Sequence, residues 1–205
     1  MKNLPDIGVN VSRETLDTLT HFADLTVKWT NKINLIAPST ISDVWNRHIV
    51  DSAQMYQLAP NSYATWADLG SGGGFPGVVS AILAKQHHPA AKFVLIESDQ
   101  RKATFLRTAA RELALNMSVY PQRIEETDCQ SADVVSARAL MSLSELLPHL
   151  QTHLSNDGIA LLHKGRRYAE EIRDARKDWD FELAQYPSIT DADARILTLK
   201  RIARA

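Results

Sequence analysis

The 205 residues are 44% hydrophobic and 23% charged, with 8 glycines and 8 prolines, which excludes a disordered or fibrous chain and fits one α/β domain with an extension. A formal net charge of −1 offers nucleic acid no global attraction, so any basic surface has to be local. The single cysteine, Cys129, rules out an intramolecular disulfide; the polar start Met1-Lys2-Asn3-Leu4-Pro5-Asp6 and the lack of any apolar run near the ~20 residues of a bilayer span make the cytoplasm the expected location.

Residues 12–30 read as a helix, with Leu16, Leu19, Phe22, Ala23 and Val27 at three- and four-residue spacing behind Ser12 as N-cap. Asn34-Leu35-Ile36-Ala37-Pro38 reads as a turn. A second helix is expected over residues 42–58, its inner stripe made by Ile41, Val44, Trp45, His48, Ile49, Ser52 and Met55. From there strands and helices alternate. Strands are expected at 63–69, 92–97, 117–121, 133–138 and 158–162, and helices after Pro76 and at 100–114, 143–154 and 168–177. Residues 181–188 and 195–202 form two strands with no helix between them. Alternation implies a mostly parallel sheet covered on both faces, and the last pair implies an antiparallel edge. The expected division is a helical extension, 1–60, and an α/β body, 61–205.

The informative segment is strand, Asp68-Leu69-Gly70-Ser71-Gly72-Gly73-Gly74-Phe75-Pro76-Gly77, then helix. Glycines let the backbone turn sharply and approach a ligand, and Pro76 suits a first helical position. A dinucleotide fingerprint needs a glycine where Phe75 stands. The observed Gly70, Gly72, Gly74 spacing, with an acid before it, resembles motif I of S-adenosylmethionine methyltransferases. Glu97 ends the next strand, where a carboxylate can accept both hydroxyls of a ribose. Ile124 and Glu125 follow the third strand, where a backbone N–H and an acidic side chain can read adenine, and Arg138 ends the fourth. Asp68 either caps the loop or touches the ligand, and Phe75 either stacks on a flipped base or packs.

The acceptor chemistry is bounded by elimination. The chain has no Pro-Pro pair for an exocyclic-amine clamp, Cys129 sits in a polar loop without a preceding proline, and no Cys/His spacing suggests a metal. These residues favour an acceptor that is already nucleophilic, such as guanine N7, which loses no proton on attack. Alignment then replaces a general base, and no catalytic residue is assigned.

Several motifs in order resemble the bacterial 16S ribosomal RNA guanine-N7 methyltransferases, also called glucose-inhibited division protein B. They are Asn34-Leu35, Arg47-His48-Ile49-Val50-Asp51-Ser52, the glycine segment through Gly77, Ser136-Ala137-Arg138-Ala139 and His163-Lys164-Gly165. The resemblance spans about residues 12–202. It implies a seven-stranded Rossmann-like methyltransferase sheet with an N-terminal helical cap, and a target guanine at position 527. It implies cofactor contacts from Gly70, Phe75, Ile124, Glu125 and Arg138, and Arg47, His48, Lys164 and Arg195 near the RNA.

Local charge agrees with an RNA partner, either 16S RNA or the 30S subunit, approached by a monomer. Lys164, Arg166 and Arg167 follow the fifth strand, and Arg195, Lys200, Arg201 and Arg204 follow the last acid. Arg101, Lys102, Arg107 and Arg111 stripe one helix, as an RNA contact or a solvated face. Competing readings are a small-molecule methyltransferase, a nicotinamide-dependent dehydrogenase, which Phe75-Pro76 opposes, and a non-enzymatic ribosome-binding module, which the intact loop and Glu97 oppose.

Overall fold

A computed structural model describes Leu4 and residues 10–205; the polar stretch read at the N-terminus lies otherwise outside the described residues. Helix α1 (Arg13–Thr30) begins where the Ser12 side chain accepts from the Thr15 N–H at 3.2 Å. A 3₁₀ turn (Pro38–Asp43), one π-helical turn (Trp45–Val50) and helix α2 (Asp51–Tyr56) follow. The single helix expected over 42–58 is thus wound three ways, a difference that an apolar stripe does not encode.

Strands β1 (Thr65–Leu69), β2 (Lys92–Ile96), β3 (Met117–Tyr120), β4 (Ala132–Arg138) and β5 (Leu154–Lys164) are parallel and alternate with helices α3 (Gly77–His87), α4 (Gln100–Glu112) and α5 (Leu143–His153). Helix α6 (Tyr168–Ala175) leads to β6 (Trp179–Pro187) and β7 (Arg195–Arg204). β7 runs antiparallel to both β5 and β6, and the seven strands lie in the order β3-β2-β1-β4-β5-β7-β6. Local signals place the helix starts. Asp99 accepts from the Arg101 and Lys102 N–H groups, and Ser142 and Glu145 cap each other at α5. Pro76 sits one residue earlier than expected, as the N-cap of α3, after a cis Phe75–Pro76 bond. β5 starts earlier than expected because polar Ser155-Asn156-Asp157 continue the strand.

Side-chain alternation divides the core in two. On one face Trp66, Phe93, Leu95, Val134 and Leu161 pack with Phe105 of α4 and with Leu19, Phe22, Ile49 and Met55 of the N-terminal helices. On the other, Ala67, Leu69, Val135, Ala160 and Leu162 meet Leu146, Leu147 and Leu150 of α5. The N-terminal helices therefore share one apolar core with the sheet. Among the described residues, no helix is long and apolar enough to cross a membrane. Strand order reverses between β1 and β4, and in such sheets ligands bind outside the carboxyl ends at that point.

Candidate functional site

At the carboxyl ends of β1, β2 and β4 opens a cleft of about 400 Å³, within the roughly 300–1,000 Å³ of ligand sites. Gly70, Gly72, Gly73 and Phe75, Glu97, Ile124 and Glu125, and residues 138–141 line it. Gly72 has φ +54°, a left-handed conformation that other residues adopt only with strain. A Cβ built there would meet nothing within 4 Å except the Gly70 carbonyl oxygen at 3.9 Å, so this side of the loop faces open space. Its N–H donates to Glu97 Oε2 at 2.7 Å, while Glu97 Oε1 accepts from the Asp99 N–H at 2.8 Å. The carboxylate at the end of β2 thereby fixes both the loop and the start of α4.

Gly74, expected at the ligand, faces the core. A Cβ there would lie 2.6 Å from Val78 Cγ2 and 3.0 Å from the Phe22 ring, and Gly74 does not line the cleft; Gly73 does. Phe75 packs: its ring centroid lies 5.3 Å from that of Phe22 and 4.9 Å from that of His48. Asp68 is fully buried and accepts from the Ser136 hydroxyl. Burial pushes its carboxyl up to about 6, against the Ser136 hydrogen bond.

Arg138 reaches the cleft wall, and its guanidinium is held from behind. Nη1 donates to Asp51 Oδ2 at 3.0 Å and to the Arg47 carbonyl at 3.2 Å, and Nη2 donates to His48 Nδ1 at 2.7 Å. Arginine only donates, so His48 Nδ1 accepts and Nε2 carries the proton. Nε2–H then donates to Thr40 Oγ1 at 2.8 Å, and the Thr40 hydroxyl donates to the Ala37 carbonyl. Burial and the Arg138 charge hold the imidazole down to about 4.

Asp51 is the hub. Its Oδ1 accepts from the Thr190 hydroxyl at 2.7 Å, and His163 Nε2 lies 2.9 Å away without hydrogen-bond alignment. Burial alone would raise its carboxyl, but His163, Thr190 and Arg138 outweigh it and hold the group at about 2. Neither Asp51 nor Thr190 was singled out in the sequence. Asp51 lay inside the Arg47–Ser52 motif, but its partners lie 87 and 139 residues away.

The expected RNA residues divide. Arg47, Arg166 and Arg167 are exposed, and Arg195 is partly so, its guanidinium 5.2 Å from the Tyr168 ring. His48 and Lys164 are buried, 8% and 7% exposed. Lys164 Nζ donates to the Met141 carbonyl at 2.7 Å and to Glu171 Oε2 at 2.8 Å, which braces the 139–141 wall of the cleft rather than offering a charge to phosphate. Cys129 is exposed, its Sγ 2.8 Å from the Thr152 carbonyl.

A family model described as "GidB: rRNA small subunit methyltransferase G" matches residues 15–198. A Ribosomal RNA small subunit methyltransferase G of Cereibacter sphaeroides is 52% identical over 96% of this chain and 94% of its own. Among solved structures, TYW2 of M. jannaschii in complex with AdoMet superposes with TM-score 0.55 and 12% identity over 86% of this chain and 80% of that one. The 16S rRNA methylase RmtB gives TM-score 0.55 and 14% identity, over 94% and 76%. At such identities the structural likeness shows the fold alone, a Rossmann-like methyltransferase sheet.

Proposed function

The chain belongs to the small-subunit ribosomal RNA methyltransferase G (GidB) family, and on that premise we propose that it transfers a methyl group from S-adenosylmethionine to N7 of a guanine in 16S ribosomal RNA. The observation that carries this reading is the glycine loop at Gly72, open on its cleft side and fixed at its N–H by Glu97.

The cleft's residues fit S-adenosylmethionine. A cofactor without pyrophosphate needs close backbone approach, which Gly70 and Gly72 allow, and an acid beside the ribose, which Glu97 supplies. Ile124 and Glu125 take the adenine, and Phe75 and Arg138 close the wall beside the methyl-bearing end. Gly74 acts from behind, letting the loop pack on Phe22 and Val78. Bound cofactor supplies an electrophilic methyl on a sulfonium, which an N7 lone pair takes as the carbon–sulfur bond breaks, with no proton to remove. The protein's part is therefore to align the acceptor and exclude water. The Asp51 hub keeps Arg138 in place, and Lys164 with Glu171 fixes the 139–141 wall.

In this reading residues 61–205 form the methyltransferase body and residues 1–60 a cap that carries Arg47 to the rim of the site. Arg166, Arg167 and Arg195 contact RNA phosphates. The protein works as a monomer in the cytoplasm, where its substrate is made. The test is transfer of labelled methyl from S-adenosylmethionine to 16S RNA, or to 30S particles, from cells lacking the protein, with N7-methylguanine mapped by chain cleavage. Label at one guanine is expected. No transfer from a protein that binds the cofactor would redirect the search to small-molecule acceptors.

A further inference from the structure

A second cavity, of about 250 Å³, lies against the Asp51 hub and adjoins the cofactor cleft along Arg138 and Ala139. It is smaller than the roughly 300–1,000 Å³ of sites that take a whole ligand. That volume suits a single heterocycle. Most of its polar groups are committed: both Asp51 oxygens are occupied by Thr190 and Arg138, with His163 alongside. His163 Nε2 also lacks a hydrogen-bond partner but is buried against Asp51, so Arg47 and Asp191 are the exposed exceptions. The guanidinium lies 3.7 Å from Asp191 Oδ2, beyond hydrogen-bond reach, and Asp191's hydrogen bond from the Asp193 N–H uses the other oxygen. These side chains are 45% and 40% exposed. A carboxylate oxygen and a guanidinium therefore stand side by side at the cavity's rim.

We propose that this cavity seats the acceptor guanine by its Watson–Crick edge, with Asp191 accepting from N1–H and the 2-amino group and Arg47 donating to O6. The inference rests on the methyl-transfer reading above and adds the base-selecting residues. Arginine commonly reads guanine through O6 and N7 together. A methyl acceptor cannot be read that way, because its N7 lone pair has to stay unbonded. Recognition falls to the opposite edge, which shows two donors beside one acceptor. The rim presents the complementary set, one carboxylate beside one guanidinium. Adenine would set the N1 lone pair against the Asp191 carboxylate, so the same pair rejects it. A pocket at the rim, rather than a groove, also suits a base turned out of its stack.

The test replaces the acceptor guanine of 16S RNA with inosine, which lacks only the 2-amino group, and measures single-turnover methyl transfer at saturating S-adenosylmethionine. Wild-type protein should prefer guanine by about tenfold, the scale of one lost base contact. Asp191→Asn, on an exposed side chain, should bind the cofactor as wild type does and lose most of that preference, by slowing on guanine. A variant that keeps the full preference would overturn the assignment. So would a wild type that methylates both RNAs equally, which needs no variant to fold. A wild type that binds cofactor yet methylates neither RNA would overturn the methyl-transfer reading itself, and this inference with it.

Discussion

The loop between β1 and α3 and the hub at Asp51 meet at Arg138, yet different forces hold them. The loop is made of backbone: left-handed glycines, a carboxylate accepting two N–H groups, and a helix start, all within residues 68–99. The hub is made of buried side chains: the ion pair of Asp51 and Arg138, with His48 and His163 against it, brought from three separate parts of the chain. A backbone cradle tolerates exchange of neighbouring side chains as long as its dihedral angles survive. A buried ion cluster tolerates little, because removing one member leaves another desolvated and unpaired.

The contrast can be broken most forcefully at Asp51. Asp51→Ala should cost about 3–5 kcal/mol of unfolding free energy in urea denaturation, as expected for a buried ion pair stripped of one partner. A loss under about 1 kcal/mol would mean that the hub relaxes as freely as a surface cluster.

Acid should sharpen the same contrast through His48. Its imidazole ionises at about 4 in the fold, against ~6.5 in the unfolded chain. Between those values the unfolded chain takes a proton that the folded one refuses, so stability falls as pH drops from about 6.5 to 4. Relative to wild type, His48→Gln should gain about 3 kcal/mol over that window. Asp68 has the opposite sign: its raised carboxyl, at about 6, costs stability as pH rises from ~3.8 to 6. Only the difference between variant and wild type isolates His48, and a flat difference would refute its burial as a neutral base.

On the loop side, Gly72→Arg should lower cofactor affinity by at least ~100-fold, about 3 kcal/mol, in calorimetric titration, with the fold retained. Unchanged affinity would displace the cofactor site from this loop. The smallest effect belongs to the surface: Arg166→Ser with Arg167→Ser should reduce the log–log salt slope of RNA binding by roughly 1–2 and leave cofactor affinity alone. An unchanged slope would return both arginines to ordinary solvated charge.

The same division explains what the sequence disclosed. The strand, glycine loop, helix and Glu97 were legible because each signal sits within a few residues of the next. All seven strands and the antiparallel edge followed from alternation of patterns. Lys164 misled as a surface group because a charge in a sequence carries no sign of its burial, whereas His48 already lay on the inner stripe of its helix and only its partner was hidden. Lys164 is committed to Met141 and Glu171, and His48 to an arginine 90 residues away. Gly74 looked equivalent to Gly72 by spacing, yet the space beside it is filled by Val78 and by Phe22 from α1. The hub stayed hidden for the same reason, since Asp51 meets its partners only after the sheet is assembled.

The turn between β6 and β7 gives that lateness a consequence during synthesis. Gln54 bonds the Pro187 carbonyl and the Ile189 N–H, while Thr190 bonds Asp51, contacts spanning 133 to 139 residues. A ribosome that has delivered α2 must add most of the remaining chain before these contacts can close. Until then Asp51 and Arg138 lack the turn that covers them, and pairings so distant in sequence form slowly. The nascent protein can thus complete its glycine loop early, but it acquires a finished Asp51 hub only when its last hairpin has emerged.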